Sequence, residues 1–154
     1  MKRGALMVLL QYEDWKEHWQ KLFEKLEKES YDKLTPDERI WYNVRGVIDS
    51  ISDGGIISFY YNSGADTMED TVEDLYKINA SQVVDQLETV NSLFPNGKTP
   101  QNIDERNEII NSWNDGEHDH IFELFETLDN QFYNGLSEDL ELKLETVVKR
   151  IIQN

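Results

Sequence analysis

Apolar positions recur along most of this chain with the 3.6-residue period of amphipathic helices. Trp15, Trp19, Leu22 and Leu26 form an i, i+4, i+7, i+11 stripe flanked by Phe23, with Lys16, Lys21, Lys25 and Lys28 alternating with acids around it. This predicts a long N-terminal helix, a partly independent arm over residues 1–33. Thr35-Pro36-Asp37-Glu38 is a helix start, because Thr35 can cap, proline suits the first helical position and Glu38 completes a capping box. Ile40, Trp41, Val44, Val47, Ile48 and Ile51 follow as its buried face. Asp53-Gly54-Gly55 then permits a sharp turn. Ile56 to Tyr61 could be a strand on periodicity alone, and its helical surroundings make it a short helix. Asn62-Ser63-Gly64 ends it. Further helices are expected near 67–78, 81–94, 100–113, 118–133 and 137–152. Thr99-Pro100 and Ser137-Glu138-Asp139 supply start signals, and Leu93-Phe94-Pro95-Asn96-Gly97 a stop. No alternating run is long enough to build a sheet. The pattern predicts an all-α, single compact domain of about seven or eight helices. Trp41, Val44, Ile48, Phe59, Leu75, Val84, Leu87, Phe125, Leu128 and Val148 are its expected core.

At 154 residues the chain suits one domain with a real core. Its 4 Trp, 7 Tyr and 6 Phe argue against disorder. The absence of cysteine excludes disulfides, thiolate catalysis and cysteine zinc sites. The apolar run Ala5 to Leu10 is short for a signal peptide, and Gln11-Tyr12-Glu13-Asp14 stands where a small-residue cleavage site belongs. No stretch approaches a membrane span. A cytoplasmic bacterial protein is the default expectation.

Charge changes the picture most. Residues 1–45 hold 9 acidic and 9 basic residues, whereas residues 46–154 hold 22 acidic and 6 basic ones and so carry the entire net charge of −16. Such a surplus destabilises the compact state through self-repulsion and attracts cationic partners. Direct nucleic-acid binding is disfavoured, because phosphates would be repelled.

The densest acidic pattern is Asp66, Glu69, Asp70, Glu73 and Asp74. At 100° per residue these span an arc of about 140°, with Met68, Val72 and Leu75 opposite. Only Lys77 interrupts the local charge. Like charges at i, i+4 are destabilising, and the helix N-terminus accounts for the first acids alone. The five carboxylates give one charge per roughly 2.4–3 Å of helix axis, comparable to DNA. Asp119, Glu123 and Glu126 form a second face, opposite Ile121, Leu124, Phe125 and Leu128. Folding is expected to leave both faces exposed. Their ordinary reading is a solubilising surface; two faces within one acidic region favour a partner surface.

Catalytic chemistry is sparse. Glu117-His118-Asp119-His120 with Glu123 is the one cluster of metal-ligand type, and a polar helix start explains it better. Neither a nucleophile elbow, a phosphate loop nor a dinucleotide fingerprint occurs. Gly54-Gly55 reads as a helix–helix turn and Phe59-Tyr60-Tyr61 as core with its hydroxyls partnered. No enzyme activity, metal or cofactor is expected.

Leu34-Thr35-Pro36-Asp37-Glu38-Arg39, Asp53 to Gly64 (DGGIISFYYNSG), Leu75 to Ala80 (LYKINA), Leu128 to Tyr133 (LDNQFY) and the terminal Ile151-Ile152-Gln153-Asn154 together resemble a family of acidic, all-helical bacterial proteins whose name-giving member is a DNA mimic. The likeness covers roughly residues 34–154. It departs at Asp53, Ile56 and Ser58, where the family usually has Asn, an aromatic and Gln. The resemblance implies an acidic protein-binding protein that presents carboxylates in place of DNA phosphates. Its partner would be a basic DNA-binding protein, met through Asp66, Glu69, Asp70, Glu73, Asp74, Asp119, Glu123 and Glu126. The alternatives are an immunity-type protein neutralising a basic toxin and a helical interaction domain without mimicry. Exposed aromatics on the first helix would permit a homodimer.

Overall fold

The computed structural model describes residues 9–113 and 118–153. Residues 1–8, 114–117 and 154, including Glu117 of the histidine cluster, lie outside the described set. Among the described residues eight α-helical segments follow one another: α1 (Tyr12–Lys28), α2 (Pro36–Gly54), α3 (Ile56–Tyr61), α4 (Met68–Lys77), α5 (Ser81–Asn91), α6 (Ile103–Ser112), α7 (Asp119–Gln131) and α8 (Ser137–Gln153). No strand occurs among the described residues. A five-residue π turn, Phe132–Leu136, carries α7 into α8. None of these helices is long and apolar enough to cross a membrane.

α2 is the axis of the packing. Its N-terminus is a reciprocal capping box: Thr35 Oγ1 accepts from Glu38 N–H and Glu38 Oε1 accepts from Thr35 N–H. Its stripe Ile40, Trp41, Val44, Val47, Ile48 and Ile51 is buried, and α3, α4 and α8 pack around it. All ten of the expected core residues are buried. α1 lies along α2 and α8, with Leu22 fully buried and the Trp15 and Trp19 rings against Trp41 at 6.4 and 4.7 Å between centroids. The tryptophan edge of α1 is therefore already covered by the core.

Gly55 makes the turn from α2 into α3 at φ +86°, a conformation that side chains strain to adopt. An added Cβ would sit 2.6 Å from Asp129 Oδ2. The close approach has a purpose: Asp129 Oδ1 accepts from Ile56 N–H at 2.7 Å, satisfying an otherwise orphan donor at the start of α3. Burial pushes the Asp129 carboxyl up, and the Ile56 bond opposes this. Tyr133 adds a second tie, its hydroxyl donating to Ile51 O at 2.8 Å. The glycine motif and the Leu128–Tyr133 motif thus meet as one structural joint. Tyr60, Phe94, Trp113 and Phe125 continue the core as an aromatic chain from α3 to α7.

Two start signals act differently from expectation. α6 begins at Ile103, capped by Asn102 Oδ1 accepting from Glu105 N–H. Thr99 is drawn instead to Asn91, its hydroxyl donating to Oδ1 at 2.6 Å. Ser137 has helical backbone angles (φ −60°, ψ −48°) rather than the extended ones of a cap, and it follows a kink at Asn134 and Gly135; its N–H bonds Phe132 O.

Candidate partner-binding surface

The acidic face expected on α4 is largely neutralised from within. Arg39, on the first turn of α2, reaches across to it. Its Nη2 donates to Asp74 Oδ1 (2.7 Å) and Glu73 Oε1 (2.7 Å), its Nε is shared between both Asp74 oxygens (3.1 and 3.2 Å), and its Nη1 lies 3.3 Å from Asp70 Oδ1. Asn43 donates to Asp74 Oδ2 and to the Tyr31 hydroxyl, both at 2.9 Å, and Tyr31 in turn donates to Asp70 Oδ2 at 2.8 Å. Burial, and Asp70 as acceptor, push the Tyr31 hydroxyl up to about 12, although Asn43 pulls the other way. The Asp74 bonds hold the Arg39 guanidinium well above its usual range, and the Arg39 and Lys77 contacts pull Glu73 below the usual carboxylate range.

Asp74 is 0% exposed, so it is not a surface residue, and the expectation that folding exposes it is wrong. The buried stripe of α4 is Met68, Thr71, Asp74 and Leu75, so it keeps Met68 and Leu75 of the expected line but takes in Asp74, with Val72 half-buried. Asp66 precedes the helix, in the 3₁₀ turn Ser63–Thr67, and pairs with Arg106 Nη2 at 2.9 Å. Of the five carboxylates on that face, only Glu69 is exposed with no ion pair among the described residues. The DNA-like charge density inferred for α4 therefore does not survive folding. Neutralising Asp74 would remove a buried ion-pair partner instead of relieving repulsion.

The second face is different. Asp119, Glu123 and Glu126 are all exposed on α7 and make no ion pair among the described residues. Sequence reasoning missed the acids beside them: Asp85 and Glu88 on α5, and Asp104, Glu105 and Glu108 on α6, all exposed. Arg106, the one arginine or lysine on α5, α6 or α7, is turned inward and 0% exposed. It donates to the carbonyls of Tyr60 (2.9 Å), Asn62 (2.8 Å), Pro100 (3.0 Å) and Gln101 (2.9 Å), closing the C-terminal end of α3 onto the loop before α6. The three helices thus present eight exposed carboxylates and no exposed lysine or arginine.

α5 stands as a ridge between two grooves. On one side, a groove of about 770 Å³ between α4, α5 and α6 is bordered by Glu69, Glu88 and Glu105, with Lys98 on its wall. On the other, a groove of about 880 Å³ runs between α5 and the α7–π turn–α8 segment, with Asp85 and Asp139 among its lining. His118 and His120 stand at the start of α7 with ring centroids 6.3 Å apart, and no group of three histidine or carboxylate side chains among the described residues converges as metal ligands do.

An acidic, all-helical domain with eight exposed, unpaired carboxylates on α5, α6 and α7 is what the fold and surface define. The chain belongs to the DMP19-like protein family, whose model matches residues 32–151. The match begins and ends within a few residues of the span suggested by the motifs. No curated protein and no solved structure matches the chain significantly.

Proposed function

We infer that this protein binds a basic, DNA-binding protein and presents carboxylates where that partner expects DNA phosphates. The observation that carries the reading is the outer surface of α5, α6 and α7: eight carboxylates, with Arg106 withdrawn into the interior. A solvated helix normally mixes signs, because opposite charges at i, i+4 stabilise it and like charges do not. Asp104/Glu108 and Asp119/Glu123 are like pairs at that spacing. The family resemblance to a DNA mimic supports the same reading. The contact surface is Glu69, Asp85, Glu88, Asp104, Glu105, Glu108, Asp119, Glu123 and Glu126, with Glu73 at its margin. Complementary charge of this kind speeds encounter and makes it salt-sensitive. The protein acts by occupancy, without catalysis, metal or cofactor.

The test is capture of a partner from native extract, eluted by salt, followed by competition with duplex DNA. Replacing Glu88, Glu105 and Glu123 with Gln keeps the fold, as read by circular dichroism, and weakens capture most at low salt. A partner that binds the protein and duplex DNA simultaneously and independently would refute mimicry.

A further inference from the structure

We propose that the groove between α5 and the π turn is an arginine-binding site, the place where a guanidinium of the basic partner inserts. This deepens the mimicry reading and rests on it. The groove is lined by five carboxamides (Gln82, Gln86, Asn130, Gln131 and Asn134) and two carboxylates (Asp85 and Asp139), with no basic side chain in its wall. Its volume of about 880 Å³ is ample for one side chain. Gln86 is the built element. It is 3% exposed, and its Nε2 is committed to Leu128 O (2.9 Å) and Gln131 Oε1 (3.3 Å). Its Oε1 is buried and has no donor. A buried acceptor left open is costly, and such groups call for an explanation.

The backbone supports the assignment. A kink, not a widened continuous helix, joins α7 to α8. Here Asn134 (φ −91°, ψ 34°) and Gly135 (φ +138°) leave helical geometry, and Asn134, Gly135 and Leu136 become part of the groove wall. Gly135 has open space around it, so its positive φ, not crowding, selects glycine. The wall supplies carbonyl-type acceptors from both sides and negative charge at Asp85. Asp139 is shared with Lys143 at 2.8 Å. Arginine fits this set better than lysine, because its planar fork offers five N–H donors to several separated acceptors, whereas an ammonium is a compact point charge with three.

The probe is N-acetyl-argininamide, titrated into the full chain and followed by amide NMR, with N-acetyl-lysinamide as the comparison. The expected result is saturable shifts at the Gln86 and Gln131 side-chain amides and at Asn134. The lysine probe should bind about tenfold more weakly, the scale of one or two charge-assisted hydrogen bonds. Asp85→Asn, on the exposed rim, should weaken the arginine probe several-fold, whereas Glu17→Gln on α1 should not. Gln86→Met should abolish the preference for arginine; Asp85→Asn decides if that variant misfolds. Equal binding of both probes, shifts spread evenly over the acidic helices, or indifference to Asp85→Asn would overturn the assignment. If neutralising Glu88, Glu105 and Glu123 abolishes partner capture while the groove stays silent to argininamide, mimicry stands and this site falls. If argininamide fills the groove but the partner still binds DNA freely, the site stands and mimicry falls.

Discussion

Replacing Arg39 with Met keeps most of the side-chain stem and removes the guanidinium. Asp74 then loses Nε and Nη2 and keeps only Asn43 at 2.9 Å, with Lys77 Nζ at 3.8 Å. Asp74 is fully buried, so it cannot recover the loss from water. Breaking one side of a buried pair in this way costs about 3–5 kcal/mol. Against a total stability of roughly 5–15 kcal/mol, that is a large fraction. For a domain of this size each kcal/mol is worth about 2–4 °C, so the melting temperature should fall by on the order of 10 °C. Urea and thermal unfolding followed by far-ultraviolet circular dichroism measure it. The double variant Arg39→Met/Asp74→Leu should recover much of the loss, because no buried charge remains. If Arg39→Met costs under about 1 kcal/mol, or the double variant is worse than the single, the Arg39–Asp74 pair is not the clamp its geometry describes. The variant should still capture a basic partner when folded, because Arg39 neutralises α4 and contributes nothing to the carboxylates of α5–α7.

Arg106→Met should be comparably harmful, by about 3–5 kcal/mol in urea unfolding, since it leaves Asp66 and four carbonyls without their donor. Gly55→Ala should cost about 1–3 kcal/mol by the same assay, from a strained φ and a clash with Asp129. Burial raises the Glu38 carboxyl, but Lys25 and the Thr35 N–H outweigh it and hold the group below its ordinary 4.5. A lowered folded value stabilises above the unfolded one and is lost as pH falls through it. Wild type should therefore exceed Glu38→Gln in thermal stability near neutrality, the gap closing below about pH 4.

The core was legible because every buried apolar residue in α2, α5 and α8 sits on a single helical stripe, and period alone picks out such stripes. The joint between Gly55 and Asp129 was half legible: two adjacent glycines announce a turn, but the carboxylate that needs the space is far away in the chain. Asp74 was assigned to the surface and Arg106 was passed over for a shared reason. Charged residues are seldom fully buried, so a helical wheel assigns them to water by default. Both carried a signal that was available. Asp74 falls in line with Thr71, Leu75 and Ile78, and Arg106 with Ile103, Ile110 and Trp113. A charge inside an apolar stripe points to a partner elsewhere in the fold. The α5 ridge was invisible because two acids on one helix mean little until α6 and α7 are known to expose theirs beside it.

The inward turn of Arg106 also determines what surrounds the protein in solution. With no exposed lysine or arginine on α5, α6 or α7, those helices gather mobile cations, a small counterpart of the ion atmosphere around a duplex. A basic surface docking there would set those ions free, and part of the gain in entropy would belong to the solvent and not to the contact itself. The logarithm of affinity would then fall in proportion to the logarithm of salt concentration, and the slope would count the carboxylates engaged, as it counts phosphates in protein–DNA complexes. With its guanidinium buried and its carboxylates outside, a folded polypeptide of this kind would share a thermodynamic habit usually associated with nucleic acids.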